Sequence, residues 1–133
     1  MRTEAFSLNG VPALRWGRPS RRGFLYLHGQ GGSKAEAAAF AAAAAEAGWQ
    51  TVSIDLPGHG DRAAEAADLV PWRVVPELRG ALAELRGRWD RAALFGSSLG
   101  AWFGLLAYPD APLAGALFLS PVVDMEALIR RMM

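Results

Sequence analysis

The sequence contains no cysteine, which excludes disulfide frameworks, thiolate metal sites and cysteine nucleophiles. It lacks an excess of either charge, with 14 basic and 13 acidic side chains and a net charge of +1. Its arginines are spread along the chain rather than clustered, so neither a nucleic acid nor an anionic membrane is expected as a partner. No apolar run reaches the ~20 residues of a membrane span. The opening Met1-Arg2-Thr3-Glu4-Ala5-Phe6-Ser7 is polar where a signal peptide would be apolar, and a cytoplasmic location is expected. What remains is 133 residues, 52% hydrophobic and 20% charged. That is the composition of an ordinary globular chain, and a single domain over 1–133 is expected.

Two short strands, Ala5 to Leu8 and Ala13 to Trp16, flank Asn9-Gly10, whose residues tolerate the positive φ of a tight hairpin. Phe24 to Leu27 is an apolar strand that runs into His28-Gly29-Gln30-Gly31-Gly32. Ser33 then caps an alanine-rich helix reaching Ala47 and stopped by Gly48, to which no chemistry is assigned. Thr51 to Asp55 is a β-branched strand, and Leu56 to Arg62 a loop with one proline and two glycines. A helix from about Val74 to Trp89 sets Val75, Leu78, Leu82, Leu85 and Trp89 on one face, Pro76 in the first turn, and Glu77 and Glu84 on the wet side. Ala92 to Phe95 is the next strand, Gly96 to Gly100 a turn, and Ala101 to Tyr108 a helix that Pro109 stops. Leu113 to Leu119 is a final apolar strand, and a last helix begins near Asp124.

Alternating strands and helices imply an α/β domain whose mostly parallel sheet of about six strands is flanked by helices. In such sheets ligands bind beyond the carboxyl ends of the strands. The three glycine-rich segments, His28 to Gly32, Pro57 to Gly60 and Gly96 to Gly100, each follow a strand, so all three meet at that one edge. The last of them, Gly96-Ser97-Ser98-Leu99-Gly100, fits the G-x-S-x-G elbow with Ser98 in the middle. Five residues are a weak signal alone; the strand before them and the helix after them supply the context. Gly96 and Gly100 are needed because the serine between them is held in a strained turn. The helix that follows aims free N–H groups at a developing oxyanion. The competing reading makes Ser98 an ordinary helix cap. Histidine titrates near neutrality, so either His28 or His59 suits the base that a serine needs.

With these motifs the chain resembles the α/β-hydrolase family of serine hydrolases, whose third strand ends in His-Gly-x-Gly-Gly and whose fourth is followed by Asp-x-Pro-Gly-His-Gly. Both stand here, as His28-Gly29-Gln30-Gly31-Gly32 and Asp55-Leu56-Pro57-Gly58-His59-Gly60, in the family's order before the elbow. The resemblance runs from about Phe24 to Leu119 and implies the sheet order 1-2-4-3-5-6, an α/β-hydrolase core. It implies Ser98 as the catalytic nucleophile, with the backbone N–H groups of Gln30 and Leu99 as the oxyanion hole. It also implies that His28, Gly29 and His59 shape the loops, as Asp55 and Asp61 do, rather than act in the chemistry. The activity implied is hydrolysis of a small carboxylic ester, thioester or amide through an acyl-enzyme, with no metal and no cofactor.

In the family the catalytic acid and histidine follow the nucleophile. Here the 35 residues after Ser98 contain no histidine, and their only acids are Asp110, Asp124 and Glu126. Two further strand and helix units of ~30 residues each would be needed to reach that histidine. The chain therefore reads as the N-terminal half of a hydrolase, truncated after the sixth strand. Asp124 stands where a minority of the family places its acid, and is equally an ordinary N-cap. Strand 113–119, apolar on both faces like an interior parallel strand, is expected to pair with the missing half, with a second copy or with another protein. The alternatives are a non-catalytic binding or assembly module that keeps the pocket edge without the base, and an acyltransferase.

Overall fold

The computed structural model describes residues 1–108, 113 and 115–119. Asn9 and Gly10 take φ values of 51° and 84°, the left-handed pair that a two-residue hairpin needs. They join β1 (Thr3–Leu8) to β2 (Val11–Trp16), and β3 (Arg22–Leu27), β4 (Gln50–Ile54), β5 (Arg91–Ser97) and β6 (Gly115–Leu119) follow. The sheet has the order β1-β2-β4-β3-β5-β6, as expected. Pairing is antiparallel at β1–β2 and β2–β4 and parallel elsewhere. Among the described residues β6 is an edge strand.

Alternation along β3 sorts the core into two layers. Leu25 and Leu27 join Val52, Ile54 and Leu94 in a cluster with α2 (Pro71–Arg86) and α3 (Leu99–Ala107), which contribute Val74, Leu78, Leu82, Leu85 and Phe103. Tyr26, on the other face, packs with Ala37 and Ala41. Alanine at the buried positions of α1 (Ala38–Glu46), Ala41 and Ala44, lets that helix lie close to the sheet.

Three elements differ from the expectation, each for a local reason. Ser33 caps only a four-residue 3₁₀ turn, Lys34–Ala37, its Oγ accepting from the Ala35 N–H. The Lys34 N–H is taken by the Asp55 carboxylate at 2.9 Å, and regular α-helix starts at Ala38. Helix α2 begins at Pro71, whose ring presets the first helical φ, so Pro76 falls in the second turn, where it removes the hydrogen bond to the Trp72 carbonyl. Trp89 then lies beyond the helix. Its indole fills the space over Gly23 and donates to Gln50 Oε1 at 3.1 Å. Finally, Gly60–Asp68 is a kinked 3₁₀ segment rather than open loop. Its buried Arg62 donates to both Glu77 oxygens at 2.9 and 2.8 Å and to Glu65 at 3.0 Å, so Glu77 is an ion-pair partner and not a solvated face. The helix expected from Asp124, and Asp124 itself, lie outside the described residues.

Candidate active site at the carboxyl edge of the sheet

Leu27 pairs with Ile54 on one side and with Gly96 on the other, so the loops after β3, β4 and β5 leave the sheet at one height. The first two loops are laced by reciprocal bonds. His28, fully buried, accepts the Leu56 N–H on Nε2 at 3.0 Å, and His59 accepts the Gly31 N–H on Nε2 at 3.1 Å. Each Nδ1 faces a carbonyl, Gly29 O at 2.8 Å for His28 and Pro57 O at 3.0 Å for His59. A ring nitrogen that accepts an amide N–H carries no proton, so both rings are neutral Nδ1–H tautomers. The rings lie 4.8 Å apart. Burial pushes the His28 pKa down, against the opposite pull of the Gly29 carbonyl. With both nitrogens of both rings engaged, neither imidazole offers a lone pair to a serine; the geometry is that of loop braces.

Asp55 forms a third brace. Its carboxylate, withdrawn from solvent, accepts the Lys34 N–H at 2.9 Å, the Lys34 ammonium at 2.6 Å and the Asp61 N–H at 3.0 Å. Burial alone would raise this carboxyl, but Lys34 and the two N–H groups outweigh it and hold the pKa below the usual carboxylate value. Lys34 also reaches Asp61 at 2.8 Å.

The third loop holds Ser98 at φ 53° and ψ −114°, a conformation that L side chains adopt only under strain. Ser98 is exposed, and its side chain makes no capping bond to α3, so the helix-cap reading does not hold. The turn is possible because its neighbours lack Cβ atoms. One on Gly96 would sit 2.6 Å from Ala101 Cα, and one on Gly100 would overlap the Leu27 carbonyl and lie 2.5 Å from the His28 oxygen. Gly29 abuts the serine itself, since a Cβ there would be 3.3 Å from Ser98 Cβ. The structure thus brings Gly29 against Ser98, with Gln30 and Leu99 the next residues along the chain from each. Among the described residues the N–H groups of Gln30 and Leu99 donate to no acceptor.

Two residues at this edge escaped the sequence analysis, Lys34 and Glu36, both in the segment read as helix without chemistry. Glu36 accepts the Gly29 N–H at 3.3 and 3.2 Å and the Tyr26 hydroxyl at 2.8 Å. Their signal is two charged side chains directly after Gly31-Gly32-Ser33, at the head of an otherwise alanine-rich run. Two cavities, of about 250 and 930 Å³, lie at the opposite end of the sheet, around Arg2, Gly17, Pro19 and Ser20. Among the described residues no group of three or more His, Asp or Glu is placed to hold a metal ion, and no helix is long and apolar enough to cross a membrane.

A mixed α/β sheet whose fifth strand turns through a strained serine into a helix, beside a glycine-rich loop with an open N–H, has the architecture of a hydrolase core. The chain belongs to the alpha/beta hydrolase family, whose model matches residues 24–133. Among solved structures it is similar to TT1662 from Thermus thermophilus, with 28% identity and a TM-score of 0.74 over 88% of this chain and 55% of that one. It shares the fold of a thermostable carboxyl esterase from Bacillus coagulans, at 19% identity and a TM-score of 0.71 over 89% of this chain and 44% of that one. It shares it equally with epoxide hydrolase A from Mycobacterium thermoresistibile, at 22% identity and a TM-score of 0.64 over 96% of this chain and 44% of that one. The chain spans about half the length of these structures. No curated protein gives a significant match.

Proposed function

We propose that the chain carries the nucleophile and the oxyanion hole of a serine hydrolase acting on a small carboxylic ester, thioester or amide. The observation that carries this reading is Ser98, strained at φ 53° with an uncapped side chain, beside the open N–H groups of Gln30 and Leu99. In the reaction Ser98 Oγ adds to the substrate carbonyl carbon while its proton passes to a base. The carbonyl oxygen becomes an oxyanion and accepts from the Gln30 and Leu99 N–H groups, each such donor contributing ~10²–10³-fold in rate. Collapse expels the alcohol, thiol or amine, which takes the proton. Water then attacks the acyl-enzyme and releases the acid with Ser98 regenerated. An acceptor other than water in that second step would make the protein an acyltransferase. Such chemistry needs no organic cofactor or metal.

Because His28 and His59 are engaged as braces, the base in this reading comes from outside the described residues. It belongs either to a further segment of a longer protein or to a second chain that pairs with β6. The same engagement favours one other reading, a binding or assembly module that keeps the edge but lacks the base. Intact mass spectrometry after exposure to a fluorophosphonate separates them. One adduct that disappears in Ser98→Ala and persists in Ser97→Ala supports the hydrolase. No adduct on the 133-residue chain means that this chain by itself is not a hydrolase, and the catalytic reading then belongs only to an assembly that supplies the base.

A further inference from the structure

We propose that Glu36 is a positioning residue for the oxyanion hole, aiming the Gln30 N–H at the Ser98 reaction centre by occupying the neighbouring Gly29 N–H. The inference deepens the hydrolase reading above and rests on it. Gly29 and Gln30 are successive residues of the loop after β3, and only one of their N–H groups is free. The Gly29 N–H is shared between the two Glu36 oxygens at 3.3 and 3.2 Å. With the Gly29 amide plane fixed, only the two dihedrals of Gly29 set the direction of the Gln30 N–H, and Gly29 is packed closely against Ser97 and Ser98. The anchor is itself held. Glu36 Oε2 accepts the Tyr26 hydroxyl at 2.8 Å, and the Tyr26 ring stacks at 4.8 Å and 15° on Phe95, a residue of the strand that leads into the elbow. The loop closes tightly over the carboxylate, because a Cβ on Gly32 would overlap Glu36 Oε1. Serine elbow and glycine loop are thereby indexed to one another through Phe95, Tyr26 and Glu36. The 3₁₀ turn Lys34–Ala37 is what brings Glu36 back under the loop.

The test compares Glu36→Ala, Glu36→Gln and Tyr26→Phe with the wild-type chain in two readouts. The first is the second-order rate of Ser98 labelling by a fluorophosphonate, and the second is amide exchange and chemical shift at Gly29 and Gln30 by NMR. Glutamine keeps an oxygen for the Gly29 N–H, so Glu36→Gln should label within about threefold of wild type. Glu36→Ala should label at least ~10-fold more slowly, as expected when one oxyanion donor is misaimed. It should also speed Gly29 exchange and shift the Gln30 amide. Tyr26→Phe, which keeps the ring and its packing, should fall between them. Labelling of Glu36→Ala at the wild-type rate would overturn the proposal, as would equal losses in the glutamine and alanine variants. Should wild type itself take no label, this chain alone lacks the base that Ser98 needs, and the positioning role is judged separately. The amides then decide alone: a Gln30 signal unmoved in folded Glu36→Ala overturns the positioning role.

Discussion

Replacing Ser98 by glycine measures the strain stored at the elbow. At φ 53° and ψ −114° a side chain costs ~1–3 kcal/mol relative to a relaxed backbone. Glycine removes the Cβ and with it that cost, while the greater freedom it gives the unfolded chain takes back ~0.5–1 kcal/mol. Little else changes, since Ser98 is exposed and makes no bond to the helix it precedes. The difference is a net stabilisation of ~0.5–2 kcal/mol by these two contributions. Ser98→Ala is the control, for it keeps the Cβ and the strain and loses only the hydroxyl, so it should lie within ~0.5 kcal/mol of wild type. In a chain of this size 1 kcal/mol shifts Tm by roughly 3–5 °C, so the glycine variant should melt about 2–8 °C higher. Urea titration should give the same difference as a shifted midpoint at unchanged slope. Neither variant should take up a fluorophosphonate. A glycine variant that melts with the alanine variant or below it would show that the elbow stores no strain. The inference from backbone geometry to a reactive serine would then lose its support.

Gly100→Ala should destabilise by about 3 kcal/mol, the upper end for overpacking, because its Cβ meets the Leu27 and His28 carbonyl oxygens, backbone atoms that cannot rotate aside. Gly115→Ala, with open space at that position, is its control, and equal urea midpoints for the two would refute the close approach. Stability should fall as pH drops below 6.5, the ordinary value of the histidine in the unfolded chain, because the buried His28 has its pKa lowered and the unfolded state binds the proton first. That loss continues down to the folded pKa, and a His28→Asn variant that keeps the same slope between pH 7.5 and 5.5 would contradict it. Asp55→Asn should cost about 3 kcal/mol at pH 7 by leaving the buried partner of Lys34 uncharged. Its gap to wild type should narrow as pH falls below 3.8, since the unfolded carboxyl then binds a proton that the native one, held under that value, does not yet take; a constant gap in urea titrations would argue against the pairing.

The sheet was legible because β3 and β5 are apolar runs closed by glycine loops and β4 is a β-branched run closed by another, and that pattern needs no knowledge of distant contacts. Phe24 to Leu27 and Ala92 to Phe95 are such runs, and their C-terminal ends do stand level. The elbow was legible for the same reason, being a local constraint on five consecutive residues. The polar lacing was not. Glu36 acts on Gly29 and Tyr26, Lys34 on Asp55, and Arg62 on Glu77, partners separated by loops whose paths no periodicity reports. Trp89 and Pro76 misled in a simpler way. Both fit a helix register that began three residues late, since Val70 is not one of the usual capping side chains and Pro71 was the signal that mattered.

The carboxyl edge bears two costs that the sheet does not demand: a serine in a strained conformation and, among the described residues, two N–H groups left without acceptors. An edge evolved only for stability would close them, because a strained residue or an unpaired donor reduces the stability of the fold. The fold offsets them nearby with bonds that are polar rather than apolar. Two imidazoles each satisfy the other loop's amide, and two carboxylates, Asp55 and Glu36, satisfy three more N–H groups and a hydroxyl. That choice has a physical reason. Apolar packing over the loops would bury the Gln30 and Leu99 N–H groups, whereas hydrogen bonds placed beneath them fix their direction and leave them open. The far end of the sheet shows no such tension. The two cavities lie there, but Arg15 is already paired with Glu4 at 2.8 Å, and of the residues lining them only glycines take a positive φ. Volume therefore points to one end of the molecule and stored strain to the other, and chemistry that develops charge on a carbonyl oxygen needs the second.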